Sequence, residues 1–327
     1  MLKRVLKITG IVLLVLIALV LIVPLLIPIP PLENTVPPEQ LADADSQFID
    51  LNNLRVHYKK AGEGEPAFVL LHGFASSTYT WNRVLPEFAK RGATLAYDRP
   101  AFGLTARPLP GEWQNKNPYS PEANADLALA LMDAQNMDKA ILVGNSAGGA
   151  VAMDVALQNP ERVQALILVD AAIYEGGGRP AWIAPLLQLP QFQRLGPYLV
   201  RGIADSGIEL LKTAYHDQSK LTPETIAAYR KPLQTHNWDA ALWQFTTAAN
   251  PRQLAARLGE LKMPVLVITG DDDRVVPTAN SVRLAREIPG AQLAVLSQCG
   301  HLPQEECPQA FMQAVNAFLD AQKITAP

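Results

Sequence analysis

Residues 140–150, Ala-Ile-Leu-Val-Gly-Asn-Ser-Ala-Gly-Gly-Ala, set one hydroxyl nucleophile, Ser146, between an apolar run and an Ala-rich segment. Ile141, Leu142 and Val143 have the continuous apolar character of a strand buried on both faces, and 147–158 has helical spacing. Gly144-Asn145-Ser146-Ala147-Gly148 therefore reads as G-x-S-x-G, a strand–turn–helix elbow that holds its serine at strained dihedrals. Strand and helix nearly collide in such a turn, so the positions two before and two after the serine must be almost without side chain. Gly144 and Gly148 meet that demand. A serine needs a general base to act, an acid to orient the base, and two backbone N–H donors for the oxyanion of the tetrahedral intermediate. With this turn the expected chain order is Ser, Asp, His.

The base is expected at His301, in Gln298-Cys299-Gly300-His301-Leu302-Pro303, just after an apolar strand and before the last helix. Of the other histidines, His57 lies within a strand, His72 in the first site loop, and His216 and His236 in a later helical stretch. Gly270-Asp271-Asp272-Asp273 offers three acids, of which Asp273, at G-x-x-D spacing, is assigned to orient the imidazole. Asp170, at the end of the strand after the elbow helix, is the runner-up. The oxyanion donors are expected to be the N–H of Ala147, directly after the nucleophile, and that of Phe74, after His72-Gly73.

The elements that must position these groups follow from patterning. Short alternating runs at 48–51 and 54–59, separated by Asn52-Asn53, predict a hairpin of antiparallel edge strands. Buried strands are expected at 67–71, 94–97, 141–143 and 164–169. Between them, one helix should run from 81 to 90, capped by Thr78 or a nearby serine. Another should run from Ser120-Pro121-Glu122 to about Met137, and the elbow helix should end near Asn159-Pro160. Alternation of strand and helix predicts a mostly parallel sheet with helices on both faces. It breaks between 174 and 250, where helices are expected at 183–200, 203–214, after Thr222-Pro223-Glu224 and from Asn237. It resumes with a strand at 264–270, a helix at 278–288, a strand at 291–296 and a last helix at 308–321.

Lys3, Arg4 and Lys7 precede an uncharged stretch, 8–29, long enough to cross a hydrocarbon core of about 30 Å as a helix. Prolines at 24, 28, 30 and 31 follow rather than a small-residue cleavage site, so an uncleaved anchor is expected over a signal peptide. Basic residues before the span, and acidic ones after it, predict a cytoplasmic N terminus and a main body on the outer face. The Pro-rich 30–46 reads as an extended linker. A net charge of −3 supplies no basic footprint, which excludes nucleic acid as the expected partner. The two cysteines, Cys299 and Cys307, read as small buried thiols, with a bridge conceivable only in an oxidising compartment.

His-Gly-Phe at 72–74, DRPAFGLT at 98–105, GNSAGG at 144–149, GDDDRVVP at 270–277 and CGH at 299–301 together resemble the α/β-hydrolase superfamily over residues 48–321. The resemblance implies an eight-stranded, mostly parallel sheet with a helical cap over the catalytic face. The corresponding division is an anchor at 1–29, a linker at 30–46, a core at 47–173 and 251–327, and a cap at 174–250. Ser146 stands where haloalkane dehalogenases and epoxide hydrolases carry aspartate, which argues against those activities. The His-Gly-Phe loop is more like esterases and lipase-like members, while Asn145 is also similar to carbon–carbon bond hydrolases. Cap aromatics Trp182, Phe192, Tyr198, Trp238, Trp243 and Phe245 are candidates to line an apolar acyl pocket, and 182–199 to touch a bilayer.

The expected activity is thus a membrane-anchored serine hydrolase of carboxylic esters, acting on a small, apolar ester or acyl substrate. Its chemistry is complete without a metal or organic cofactor. A carbon–carbon hydrolase or acyltransferase on the same triad is the alternative among enzymes, and a catalytically silent binding module the alternative outside them.

Overall fold

The computed structural model describes residues 2–114, 116–174, 183–248 and 252–324. Its sheet consists of β1 (Gln47–Leu51), β2 (Leu54–Ala61), β3 (Phe68–Leu71), β4 (Thr94–Tyr97), β5 (Ala140–Asn145), β6 (Val163–Val169), β7 (Val265–Gly270) and β8 (Gln292–Leu296). The spatial order is β1-β2-β4-β3-β5-β6-β7-β8. From β4 to β8 every pair is parallel, and β1 and β2 are antiparallel additions. The helices are α1 (Leu2–Leu26), α2 (Leu85–Ala89), α3 (Pro121–Ala134), α4 (Ala147–Gln158), α5 (Ile183–Leu187), α6 (Pro190–Val200), α7 (Ile203–Ala214), α8 (Pro223–Arg230), α9 (Trp238–Ala248), α10 (Thr278–Glu287), α11 (Pro303–Glu306) and α12 (Pro308–Ala321).

Side chains alternate across each strand, and in the central strands β3 to β7 both faces are buried and apolar, which is why these read as continuous hydrophobic runs. Val69 and Leu71 of β3, Leu142 of β5 and Leu166 and Leu168 of β6 share one core with Leu131 of α3, Val155 of α4 and Leu284 of α10. Their neighbours Phe68 and Leu70, Ile141 and Val143, and Ile167 and Val169 pack on the other face with Phe88 of α2 and Phe311 and Val315 of α12. The strand order reverses about β3, whose partners are β4 and β5. In an open parallel sheet the crevice for a ligand lies outside the carboxyl ends of the strands at such a point. Here those ends are Leu71 and Asn145.

Asn52 and Asn53 have φ of 53° and 61°, the backbone that a tight two-residue hairpin demands. Of these two strands only β1 is an edge, however. The eight-residue β2 reaches past the hairpin and pairs Tyr58 to Ala61 with β4, burying Val56 and Tyr58. The helix expected at 81–90 is likewise two pieces. Ser77 Oγ accepts from Tyr79 N and caps a 3₁₀ turn at Thr78–Trp81; α2 starts afresh at Leu85 because Pro86 has no N–H to continue a helix from Asn82. Pro190 divides 183–200 into α5 and α6 for the same reason. Ser120 Oγ accepting from Ala123 N, and Thr222 Oγ1 accepting from Thr225 N, cap α3 and α8 as their sequences predict.

Before the sheet, Lys3–Leu26 forms a helix whose most apolar 18-residue window has a mean hydropathy of 3.2, exposed along its length and long and apolar enough to cross a membrane. Helix α6 lies against it: Gln191 Nε2 donates to the Leu21 carbonyl at 2.7 Å, Arg194 to that of Ile27 at 3.0 Å and Arg201 to that of Pro30 at 2.7 Å. The stretch expected as an extended linker is strapped to the body. Val36 bridges Thr235, and Asp43 pairs with Lys59 and Lys231.

The tightest packing lies under the elbow. A methyl on Gly148 would collide with the carbonyl oxygens of Leu71 and His72. Gly148→Ala is therefore expected to lower the urea midpoint, with a loss of about 1–3 kcal/mol or more, whereas Gly259→Ala, which meets nothing within 4 Å, should be near neutral. Equal midpoints for the two variants would show that the approach of α4 to β3 is looser than described.

Candidate active site

Ser146 occupies the turn between β5 and α4 at φ 53° and ψ −122°, a conformation that a side chain rarely adopts. Both of its backbone groups are held. Its N–H donates to the Val169 carbonyl at 2.9 Å, and its carbonyl accepts from Gly149 N at 2.9 Å and Ala172 N at 3.2 Å. The strain is thus maintained by β6 and the loop after it.

His301 follows β8 through a turn packed against the end of α7, where its N–H donates to the Ala214 carbonyl at 2.7 Å. The Asn145 side chain donates to the His301 carbonyl at 3.1 Å, tying the histidine loop to the residue before the serine. On the ring, Nδ1 lies 2.7 Å from Asp273 Oδ2. Asp273 Oδ1 accepts from the N–H groups of Val275 and Val276 at 2.8 and 2.9 Å, so the carboxylate is fixed at both oxygens. Asp170 lies in the same cluster: single donor atoms of Asp170, Asp273 and His301 are within 4.8 Å of one another. This is the set best placed for a cation, yet both Asp273 oxygens already accept hydrogen bonds. Asp271 and Asp272 turn away, toward the Cys299 N–H and toward His216 with Arg274.

The loop after β3 is built on Asp98. His57 Nδ1 lies 2.6 Å from Asp98 Oδ2, Thr78 N donates to Oδ1 at 2.6 Å and Leu104 N to Oδ2 at 2.6 Å. Burial opposes ionisation, but His57 and these donors hold the carboxyl well below the usual range. Gly103, at φ 51°, has room for no side chain beside this carboxylate. Sequence reading missed the role of DRPAFGLT as a hub, although its Asp and Gly were visible. His72 is neutral, pushed down to about 3 by burial and by Arg99. Its Nδ1 is 2.8 Å from the Gly73 carbonyl, its Nε2 accepts from Arg99 N at 2.9 Å, and the Arg99 guanidinium donates to the same Gly73 oxygen at 3.1 Å. In a trans peptide the carbonyl and the next N–H point opposite ways, so anchoring Gly73 O also sets the Phe74 N–H.

Ser146, Ala147, His301 and Phe74 line one cavity of about 250 Å³. Its further walls are Leu210 and Leu211 of α7, Tyr229 of α8, Val275, Val276 and Leu302. The aromatics expected there are mostly elsewhere. Phe192 and Tyr198 are exposed, Trp243 packs on Gly196 of α6, Trp238 lines a smaller neighbouring cavity, and Trp182 lies outside the described residues. Phe245 instead stacks on Phe102 and Phe74, with ring centroids 4.8 and 6.1 Å away. The true lining had a signal: Gly207, Leu210, Leu211 and Ala214 recur at i, i+3, i+4 and i+7. Tyr229 had none. Its hydroxyl is tethered to buried Glu305 at 2.5 Å, a carboxyl that burial pushes up and that also accepts from Thr80 and Tyr215.

Cys299 and Cys307 form a disulfide, correcting the expectation of two thiols. Glu306 accepts from Gly300 N at 2.8 Å and folds the turn back, bringing the two Cα atoms to 6.2 Å, within bridging range.

A family model described as alpha/beta hydrolase fold matches residues 66–308. Among curated proteins, a 2-hydroxy-6-oxo-6-phenylhexa-2,4-dienoate hydrolase of Burkholderia cepacia is 31% identical over 288 residues, covering 84% of this chain and 96% of that protein. An uncharacterized hydrolase, YugF, of Bacillus subtilis (strain 168) is 28% identical over 264 residues, covering 80% and 92%. Among solved structures, Est816, described as an N-acyl homoserine lactone degrading enzyme, has a TM-score of 0.64 at 28% identity over 83% of this chain and all of that one.

Because the bridge closes a short loop that carries His301, the Cys299→Ser/Cys307→Ser double variant is expected to lose about 2 kcal/mol of stability. Melting of the oxidised protein, the dithiothreitol-treated protein and the variant checks this. Reduction that left the melting temperature unchanged would show that the bridge adds nothing to the fold.

Proposed function

The chain belongs to the α/β-hydrolase family, and from that footing we propose that it is a serine hydrolase of uncharged carboxylic esters or lactones, using Ser146, His301 and Asp273. In this reading His301 Nδ1–H donates to Asp273 Oδ2, which leaves Nε2 as the acceptor for the Ser146 proton. Ser146 attacks the carbonyl carbon; the N–H groups of Phe74 and Ala147 hold the oxyanion; His301 returns the proton to the leaving alcohol. Water, deprotonated by His301, then releases the acyl group. Helices between β6 and β7 serve as a cap, roughly 174–250, over a core at 47–173 and 251–327, with the boundary at 250/251 outside the described residues.

The observation that favours esters over the carbon–carbon bond reading is the cavity wall. Relatives named for dienoate substrates act on carboxylates, and among the described residues lining this cavity there is no Lys or Arg to meet one. His301 is the one cationisable group there, and in this mechanism it is committed to the proton relay. An apolar acyl group against Leu210, Leu211, Val275 and Leu302 fits the wall better.

The N-terminal helix fits an uncleaved membrane anchor with the body on the outer face, and residues 30–46 connect the two. Two features support this. The disulfide belongs to an oxidising compartment, and the α5–α6 region, whose Gln191 bonds an α1 carbonyl, exposes Leu186, Leu189, Phe192 and Leu199, which acyl chains would cover.

A fluorophosphonate probe is expected to label Ser146 and not Ser46, which also bonds a histidine but lines no described cavity. Turnover of p-nitrophenyl esters should fall about 10⁴-fold in Asp273→Asn. Absence of labelling would end the hydrolase reading, and cleavage of a dienoate in preference to every ester would replace it with the carbon–carbon one. Separately, carbonate-washed membranes should retain the full-length chain; recovery of a soluble form lacking α1 would mean a cleaved signal instead.

A further inference from the structure

Two carboxyl groups stand side by side beneath His301, and their environments differ. Asp273 is met by three donors: Val275 N, Val276 N and His301 Nδ1. Asp170, which follows the last residue of β6 and is fully buried, has far less. Its Oδ1 accepts from Gly270 N at 3.3 Å and Thr269 lies alongside, while Oδ2 has no donor. No Lys or Arg among the described residues bonds either group. An oxygen that finds no donor, 0% exposed and next to a second carboxylate, is in the wrong place to be an acceptor. It is in the right place to be an O–H. A carboxylate offers about four acceptor positions, and Asp273 has used three, so one remains for a proton from Asp170.

We propose that Asp170 is a positioning residue, a neutral carboxylic acid whose O–H donates to Asp273 and so fixes the oxygen that receives His301 Nδ1–H. The proposal rests on the Ser146–His301–Asp273 reading for its catalytic consequence, but not for the existence of the pair. Burial, and then the charge of Asp273, raise Asp170 well above the ordinary carboxyl range, in keeping with a shared proton. The groups that face it are Asp273 from the loop after β7, His301 from the loop after β8, and the Thr269 hydroxyl and Gly270 N–H of β7 itself. The backbone is committed to this placement as well: Asp170 has φ of 46°, left-handed for a residue that is not glycine. Its N–H donates to the Ile268 carbonyl at 2.9 Å, which holds it there.

The tests use the full-length protein. Asp170→Asn keeps the shape and keeps a neutral donor, so its kcat should stay near wild type, whereas Asp170→Ala removes the donor and should lower kcat about ten- to a hundredfold. KM should not move in either variant, since Asp170 does not line the cavity. Collapse of kcat in Asp170→Asn to the level of Asp273→Asn would overturn the proposal by making Asp170 an ionised partner. An unchanged Asp170→Ala would overturn it by making the contact idle. Two measurements need no turnover at all. Infrared spectra near neutral pH should show the C=O stretch of a protonated carboxylic acid in the wild type and lose it in Asp170→Asn. The native state also holds a proton that the unfolded chain releases above about pH 4, so wild-type stability should fall relative to Asp170→Asn as pH rises beyond that value. A missing band, or parallel stability curves, would overturn the proposal. Band and divergence without ester turnover in any variant would uphold the shared proton and reject the hydrolase reading.

Discussion

Contact of backbone on backbone, with no side chain between, is the constraint on which this site depends. Gly148 brings the first turn of α4 against the carbonyls that end β3, and Gly144 brings the end of β5 against Gly148 and Gly149. The same device recurs further along the sheet. A Cβ on Gly270 would collide with the carbonyls of Cys299 and Gly300, and one on Gly300 with that of Ala214. These approaches draw the ends of β3, β5, β7 and β8 into one place, and the serine, acid, histidine and His-Gly-Phe loops with them. Any larger residue at these points would separate the loops by the thickness of a side chain. Such a displacement is large for chemistry that works within hydrogen-bond reach.

Chemical composition alone does not make the constellation. Ser46, His57 and Asp98 are also joined, with Ser46 Oγ 2.8 Å from His57 Nε2 and His57 Nδ1 2.6 Å from Asp98. The distances rival those of His301 with Asp273. What differs is the setting. Ser46 Oγ accepts from Asp43 N at the start of the sheet, and Asp98 spends its oxygens on Thr78 and Leu104, so that trio pins a loop. Ser146 sits in a strained turn at a cavity, with Phe74 and Ala147 beside it. In the proposed mechanism, strain, an open wall and adjacent N–H groups are what separate Ser146 from the structural Ser46. The pinned loop is not idle, however, because it carries Arg99 to the Gly73 carbonyl and thereby sets the peptide that precedes Phe74.

Much of this was legible before any coordinates. Strand-end positions followed from apolar runs closed by Gly, Asp or His; β6 and β7 end at their expected residues, and β5 runs two residues past Val143 to Asn145. The proximity of His301 to Asp273 followed from chain order and from G-x-x-D spacing. The failures were of two physical kinds. Prolines at 86 and 190 interrupt helices whose apolar periodicity continues through them, and periodicity was weighted above the missing N–H. The other failures were tertiary. Whether Cys299 meets Cys307 depends on a turn folded by Glu306, and whether a cap aromatic reaches the cavity depends on which face of its helix packs. Aromatic character drew attention to Trp243 and Phe192, whereas the small and aliphatic face of α7 was the one turned to Ser146.

The helices between β6 and β7 link the N-terminal helix to the candidate site. Helix α6 touches α1 through a bond from Gln191 to the Leu21 carbonyl, Arg194 and Arg201 reach the Ile27 and Pro30 carbonyls just beyond α1, and α6 packs on α9 at Gly196, where Trp243 leaves no room for a Cβ. Helix α9 in turn sends Phe245 onto Phe74 and Phe102, at the loop that precedes the cavity. A continuous line of packing therefore runs from the N-terminal apolar helix to the residue whose N–H faces the reacting carbonyl in the proposed mechanism. Displacing α6 from α1 would have to be absorbed at Gly196 or passed on to Phe245. Tyr229 is held independently by Glu305 from the core, so the opposite wall of the cavity has its own support. The cavity thus lies between a wall fixed to the sheet and a wall that leans on the apolar helix, and in the proposed reading the second is the side of the membrane anchor.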